Sequence, residues 1–202
     1  KKIGAKILVS GGGRCNVTHE RVTERDFNGS PRPVRHILAA FSQPRTVQWF
    51  ADMGVTLKRE ETGKLFPTTD DAHTVLDALL RRCSEVGVKV CTEHRVESVT
   101  RDDDGFTITH SQGAMRAKCV ILATGGRSLP RTGSDGHGWS IARSLGHTVT
   151  DTYPALVPLC LADDFFHKDV QGQALPVTLT TFVDGKRIDR RTGSMLWTHF
   201  GI

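Results

Sequence analysis

The sequence contains no run of about 18 consecutive apolar residues, the length a membrane-spanning helix requires. It also lacks any C-x-x-C pair: Cys15, Cys83, Cys91, Cys119 and Cys160 are an odd number at scattered spacings. A disulfide framework and a zinc finger are both poorly supported, and reduced thiols in a cytoplasm are expected. Tyr153 and the three tryptophans stand too far apart to build a stacking platform for nucleic-acid bases. No signal-peptide pattern, internal repeat or low-complexity tract is present. The chain opens on Lys1 without Met and stops in the apolar stretch Trp197–Ile202, so it reads as a fragment of a longer protein. What is present, 202 residues with 38% apolar and 24% charged, suits a soluble globular domain with a second one begun.

The formal net charge of +5 is unevenly placed. Residues 1–60 carry 11 Lys and Arg against 5 Asp and Glu, whereas residues 61–202 carry 16 against 17. The positive excess therefore sits in the first segment, where it suits an anionic ligand, a phosphate or a nucleic-acid backbone, or else a solvated basic surface.

Periodicity divides the chain into an α/β part and a β-rich part. Residues 5–9 read as a short strand before the loop Ser10-Gly-Gly-Gly-Arg14, and residues 28–33 as a turn. Helices are predicted over Val34–Phe41, from Pro44 toward Met53, over the face Val75, Leu76, Leu79 and Leu80 with a cap at Thr68 or Thr69, and over Trp139–Leu145. Strands are predicted at 55–57, 88–91, 95–99 and 106–109, and the apolar run of Ala117–Ala123 reads as a strand buried on both faces of an α/β sheet. The whole indicates an α/β unit with a small antiparallel insert. Past Pro154, the segments 156–159 and 177–183 and the turn Asp184-Gly185 are β-rich, which places a boundary near residues 150–155.

Two glycine loops carry the chemical signal. In Ser10-Gly11-Gly12-Gly13-Arg14-Cys15-Asn16, three successive residues without Cβ let backbone N–H groups approach a phosphate or a flat aromatic ring, and Lys6 and Arg14 can add charge. A plain tight turn explains the same glycines equally well. The loop is not a dinucleotide fingerprint, because Asn16 stands where G-x-G-x-x-G needs its last glycine, and no Gly-Lys-Ser/Thr follows to make a P-loop. The second loop, Ala123-Thr124-Gly125-Gly126, leaves the apolar run, and Gly133-Ser-Asp-Gly-His-Gly138 then opens a helix whose N-terminus attracts polar cofactor groups. Asp135 is a candidate N-cap or a ligand-hydroxyl acceptor.

Together, Gly4 to Asn16, Gly63-Lys-Leu-Phe-Pro67, Val120 to Gly126, Gly133 to Gly138, Pro154 to Leu159 and Trp197 to Ile202 resemble the BaiN/YhiN-type NAD(P)/FAD-dependent oxidoreductases, a family similar to bacterial aminoacetone oxidase. The resemblance covers nearly the whole chain. Ser-Gly-Gly-Gly-Arg-Cys-Asn is its specific motif, whereas Ala-Thr-Gly-Gly is shared by many flavoproteins of the two-dinucleotide type.

The resemblance implies an FAD-binding Rossmann-like domain over residues 1–152, incomplete at its start, followed at 153–202 by the beginning of a β-barrel-like substrate domain. The pyrophosphate-binding G-x-G-x-x-G would lie upstream of Lys1. Gly4 and Lys6 would run along the phosphate or ribityl region, and Ser10, Gly11, Gly12, Gly13, Arg14, Cys15 and Asn16 beside the ribityl chain and isoalloxazine. Val96 would meet the adenine through its backbone. Ala123, Thr124, Gly125 and Gly126 would form the second FAD loop, with Asp135 and the neighbouring Gly133 and Gly138 at the ribityl or flavin edge.

The function so implied is transfer of reducing equivalents between an organic small molecule or NAD(P)H and an acceptor through non-covalent FAD, in the cytoplasm, with neither nucleic acid nor membrane as partner. No residue is forced into the role of catalytic base. Cys15 can serve as a redox thiol beside Arg14 or simply pack, and the Cys15–His19 spacing lacks a third ligand for a metal. His137 and His199 are further loop histidines without a forced role. The alternative class is a basic anion- or nucleic-acid-binding module without redox activity, for which no reading motif is present. Substrate and oligomeric state are not legible.

Overall fold

The computed structural model describes residues 2–27, 29–154 and 157–202. They divide into two compact units, Lys1–Val149 and Thr150–Ile202.

The first unit begins with a short helix, α1 (Ala5–Val9), not the strand its Ile-Leu-Val run suggests. An extended segment needs a partner for its backbone groups, and no described strand lies beside it. The chain instead closes a helical turn through Leu8 N–H to the Gly4 carbonyl (3.0 Å) and lays Ile7 and Leu8 on the core. Gly4 adopts a left-handed φ of 68°, and a Cβ there would stand 2.4 Å from Leu76 Cδ1.

After the glycine loop come β1 (Thr18–His19), α2 (Pro31–Ala40), α3 (Gln43–Asp52), β2 (Leu57–Arg59), β3 (Lys64–Pro67) and α4 (Ala72–Glu85). Part of the expected turn at 28–33 falls on Asn28, outside the described residues, and residues 31–33 form the first turn of α2 instead, where proline suits a helix start. β3 lies at the centre of an antiparallel sheet of order β1-β3-β2, with Thr18 opposite Leu65 and Lys58 opposite Phe66. α4 starts at Asp71 rather than at Thr68 or Thr69. The Asp71 carboxylate accepts the His73 N–H at 2.8 Å, and Thr69 instead exchanges a hydrogen bond with Thr74. Val75 and Ala78 of α4 meet Phe50, Met53, Val55 and Cys15 in one buried cluster.

A second antiparallel sheet, β4 (Val96–Asp102), β5 (Gly105–His110) and β6 (Gly113–Ala117), is the small insert read from the alternating sequence. Val99 and Ile108 on one face meet Ile141 of helix α5 (His137–Ser144).

Two predicted strands do not form. Val88–Cys91 and the apolar run after Ala117 form no strand pairing among the described residues, the Val88 N–H turning back to the Cys83 carbonyl at 2.8 Å, and Ile121 is 90% exposed. A parallel strand buried on both faces needs neighbours in its sheet and covering helices. Every strand pair among the described residues is antiparallel.

The second unit is built on a long hairpin, β7 (Ala174–Val183) and β8 (Lys186–Leu196). It turns at Asp184-Gly185, where φ is +48° and +75°, the left-handed pair that matches strand twist in a tight hairpin. Residues 159–161 run antiparallel to 200–202, with Cys160 opposite Gly201. The expected β-segment at 156–159 begins on Leu156, outside the described residues, and 157–159 is not a strand.

Candidate functional site: two glycine loops tied by Lys6

The first loop reverses the chain between α1 and β1. Gly11, Gly12 and Gly13 take φ of 57°, 70° and 88°, and Cys15 follows at 62°. Such a run is accessible to glycine and costly for residues with a Cβ. Gly11 and Gly12 differ in what lies beside them. A Cβ on Gly11 would stand 2.6 Å from the Phe66 ring and 2.8 Å from the Asn16 nitrogen, whereas a Cβ on Gly12 would meet nothing within 4 Å. The loop therefore has a packed inner side and an open, Cβ-free outer side against which a flat ring or sugar-phosphate chain can lie.

The inner side is fastened at several points. Cys15, 7% exposed, enters the core with Val75, and the Cys15 N–H donates to the Ser10 carbonyl at 2.9 Å. Burial pushes its thiol pKa up, which disfavours a reactive thiolate and makes Cys15 a packing residue. The Arg14 guanidinium lies over the Phe66 ring, 4.1 Å from its centroid. It also donates to the Glu60 carboxylate and approaches Asp70 at 3.6 Å. The hydrogen bond to Glu60 raises the Arg14 pKa, and Lys58, paired with Asp70, lowers that carboxyl's.

The second loop rests on the start of α5. A Cβ on Gly138 would fall 1.9 Å from Thr124 Oγ1, so Gly138 is what lets Thr124 lie on the helix. Gly136 N–H donates to the Gly126 carbonyl at 3.1 Å, and Ser134 Oγ stands 3.2 Å from where a Gly125 Cβ would be. Gly133 closes the turn before Asp135, its N–H donating to Pro130. The Asp135 carboxylate accepts the His137 N–H at 3.1 Å and holds Arg95 at 2.8 Å. Those two contacts, the backbone N–H first, lower its pKa. His137 Nε2–H donates to the Glu97 carbonyl at 3.0 Å. Val96 lies between these two attachments of β4 to the α5 terminus.

Lys6 connects the two regions. Its ammonium donates to the Ser128 carbonyl and lies 3.5 Å from Ser128 Oγ, across 122 positions of sequence. The structure thus ties the first loop's helix to the Thr124–Ser128 segment, and Gly4, Lys6, Ser10–Asn16, Val96, Thr124–Gly126, Gly133, Asp135 and Gly138 all belong to one compact unit. Ala123 lies at the end of the exposed apolar segment. The open, Cβ-free face of Gly12 can receive a flat ring or a sugar-phosphate chain, while the space beside Gly138 is taken by Thr124 and holds the second loop against the start of α5.

Other candidates find ordinary partners. The His19 Nε2–H donates to the Thr62 carbonyl at 2.8 Å while Cys15 is buried in the core. His199 lies in the second unit, edge-on to Phe200. Phe66, Glu60, Asp70, Arg95 and Ser128 escaped the sequence reading. Phe66 stands within the quoted Gly63-Lys-Leu-Phe-Pro67 motif, a usable signal, but an ion pair spanning 46 positions leaves no local pattern.

Residues 1–199 match the family model described as the HI0933-like protein Rossmann domain. The whole chain is 34% identical to part of the "3-dehydro-bile acid delta(4,6)-reductase" of Clostridium scindens, of which it covers 49%. It is 33% identical to the "Ribosomal RNA dihydrouridine synthase" of Haemophilus influenzae and 31% to that of Escherichia coli, covering 51% and 50% of them. The chain spans about half the length of the curated relatives it matches. A family match over nearly every residue agrees with the glycine motifs: the chain belongs to the HI0933-like Rossmann-domain family, the BaiN/YhiN-type flavoproteins.

Proposed function

We propose that this chain is the greater part of an FAD-binding domain, residues 1–152, with the opening of a substrate domain at 153–202, in a flavin-dependent reductase. The observation that carries the reading is the pair of glycine loops tied by Lys6, one with an open Cβ-free face and the other laid on a helix N-terminus. In this reading the backbone of Ser10–Asn16 receives the flavin end. The Val96 backbone receives the adenine, and Ala123–Gly126 with Gly133, Asp135 and Gly138 lines the ribityl side. Lys6 keeps the two loops in register. Bound flavin supplies the hydride and electron chemistry that no side chain here can provide. NAD(P)H is the proposed reductant, and five free cysteines accord with a cytoplasmic setting. Among the described residues no helix is long and apolar enough to cross a membrane.

The relatives' names narrow the reaction class. A 3-dehydro bile acid with Δ4,6 double bonds and the uracil ring of uridine both carry a carbon–carbon double bond conjugated to a carbonyl. Saturating that bond is common to both names. We therefore assign the protein to reduction of such conjugated double bonds, with a small molecule as substrate. A uridine in RNA is the second reading, favoured by the ribosomal-RNA relatives and the basic first 60 residues.

The full-length protein is expected to show flavin bands at about 370 and 450 nm that survive gel filtration. It should bleach with NAD(P)H under anaerobic conditions and recover colour with a 3-oxo-Δ4,6 steroid. Recovery only with unmodified ribosomal RNA selects the second reading. A full-length protein that stays colourless with added FAD overturns the flavin assignment and favours an anion-binding module.

A further inference from the structure

The first glycine loop holds a charge that its sequence offers to a ligand, yet the fold directs that charge elsewhere. Arg14 closes the Ser10–Gly13 turn, and its side chain leaves the loop toward the β2–β3 hairpin. There its planar guanidinium stacks on Phe66, donates to Glu60 and stands 3.6 Å from Asp70. Phe66 is 2% exposed and is the same ring that fills the space beside Gly11. One aromatic ring thus packs beside the loop's tightest glycine and stacks with the loop's arginine. Asp70 is held in turn by Lys58, and Glu60 lies where the hairpin closes through Glu60 N–H to the Lys64 carbonyl at 2.9 Å. Two carboxylates face one guanidinium, so little of its positive charge remains to attract a phosphate.

We propose that Arg14 is a positioning residue: it clamps the glycine loop to Phe66 and Glu60 of the hairpin and to Asp70 in the turn after it, so that the loop meets the cofactor with its backbone and not with the arginine's charge. The inference rests on the flavin reading and refines it. Arg14 stays within the cofactor-facing segment through its main chain, while Phe66 and Glu60 become functional supports although neither reaches the open face of Gly12. A guanidinium suits this role where an ammonium would not, since it can stack and donate in its own plane at once.

The test is FAD affinity of the full-length protein, measured by flavin fluorescence well below the melting temperature of each variant. Arg14→Ala and Glu60→Ala are each expected to weaken FAD binding by about tenfold, the scale of removing one support behind a binding group. The double variant should be no weaker than about that same tenfold, because both changes release one clamp. Phe66→Leu should act in the same direction, and the visible circular dichroism of flavin at saturation should change alike in all of them.

If Arg14 contacts the cofactor directly, Glu60→Ala leaves FAD binding unchanged or tightens it by freeing the guanidinium, and the proposal falls. Lower melting temperatures with unchanged affinity and unchanged flavin dichroism mean a merely structural pair and also overturn it. Where Arg14→Ala does not fold, Arg14→Lys and Phe66→Leu carry the same comparison. A wild-type protein that binds no FAD removes the flavin reading itself, an outcome distinct from both.

Discussion

The two glycine loops are built on opposite principles. The first is fastened from behind: Cys15 sits in a core with Val75, Gly11 abuts Phe66, and Arg14 reaches the hairpin. The second is fastened from the front, by Gly138 of the following helix and Gly136 just before it, while the segment leading into it has Ile121 90% exposed and no strand partner among the described residues. A loop held by a hydrophobic cluster and a hairpin of its own unit is ordered by contacts already complete in this chain. A loop at the end of a parallel-type strand depends on the sheet around that strand.

The sharpest way to break the second loop is Gly138→Ala. Its Cβ would collide with Thr124 at 1.9 Å to Oγ1 and 3.0 Å to Cβ, so either the loop or the helix must shift. FAD retention by the full-length protein should fall by more than tenfold, roughly the effect of a misplacement near 1 Å, and equilibrium dialysis reads it. In the first loop, Gly11→Ala meets both Phe66 and a backbone nitrogen and should lower unfolding stability by about 1–3 kcal/mol, as overpacking does. Gly12→Ala enters open space and should cost only the left-handed strain, about 1–2 kcal/mol, while still weakening FAD binding on the exposed face. Urea titration beside a flavin titration separates the two effects.

Hydrogen exchange sharpens the comparison without mutation. Backbone amides of residues 119–123 should exchange rapidly in this chain, whereas Cys15 and Val17, bonded to Ser10 and Leu65, should be protected. In the full-length protein the 119–123 amides should become protected, if its additional residues supply the sheet that this segment's apolar character suits. Equal exchange in both forms would show the segment to be a true surface loop.

Thiol chemistry gives a smaller contrast. Cys91 and Cys119 are exposed and Cys15 is buried, so alkylation followed by mass spectrometry should label Cys15 last. Because burial raises its pKa, the folded state keeps this proton longer than the unfolded chain. The resulting stability is present below the ordinary thiol pKa of about 8.5 and is lost as pH rises through the folded value.

The smallest effect belongs to Asp135. Its pKa is lowered by the His137 N–H and by Arg95, so its contribution is present above the ordinary aspartate range and is lost as pH falls through the depressed value. Asp135→Asn should lower the melting temperature slightly at neutral pH and leave it unchanged in strong acid, which flattens the acid limb of the melting-temperature profile.

The sequence by itself determined the helices with clear apolar faces, the antiparallel insert and the position of both glycine loops. Each of these rests on contacts between near neighbours: α4 on Val75, Leu76 and Leu79, the hairpins on Asp102–Gly105 and Asp184-Gly185. It also carried the family, because a motif such as Ser-Gly-Gly-Gly-Arg-Cys-Asn is a contiguous string.

Tertiary structure decided the rest. It turned the strand-like Ala5–Val9 into a helix, since a β-type run without a strand beside it can satisfy its backbone only within itself. It moved the cap of α4 to Asp71, sent Arg14 across to Glu60, and joined Lys6 to Ser128. Those last contacts bridge 46 and 122 positions, and no local periodicity encodes which distant carboxylate or carbonyl a charged side chain will meet once the chain has closed.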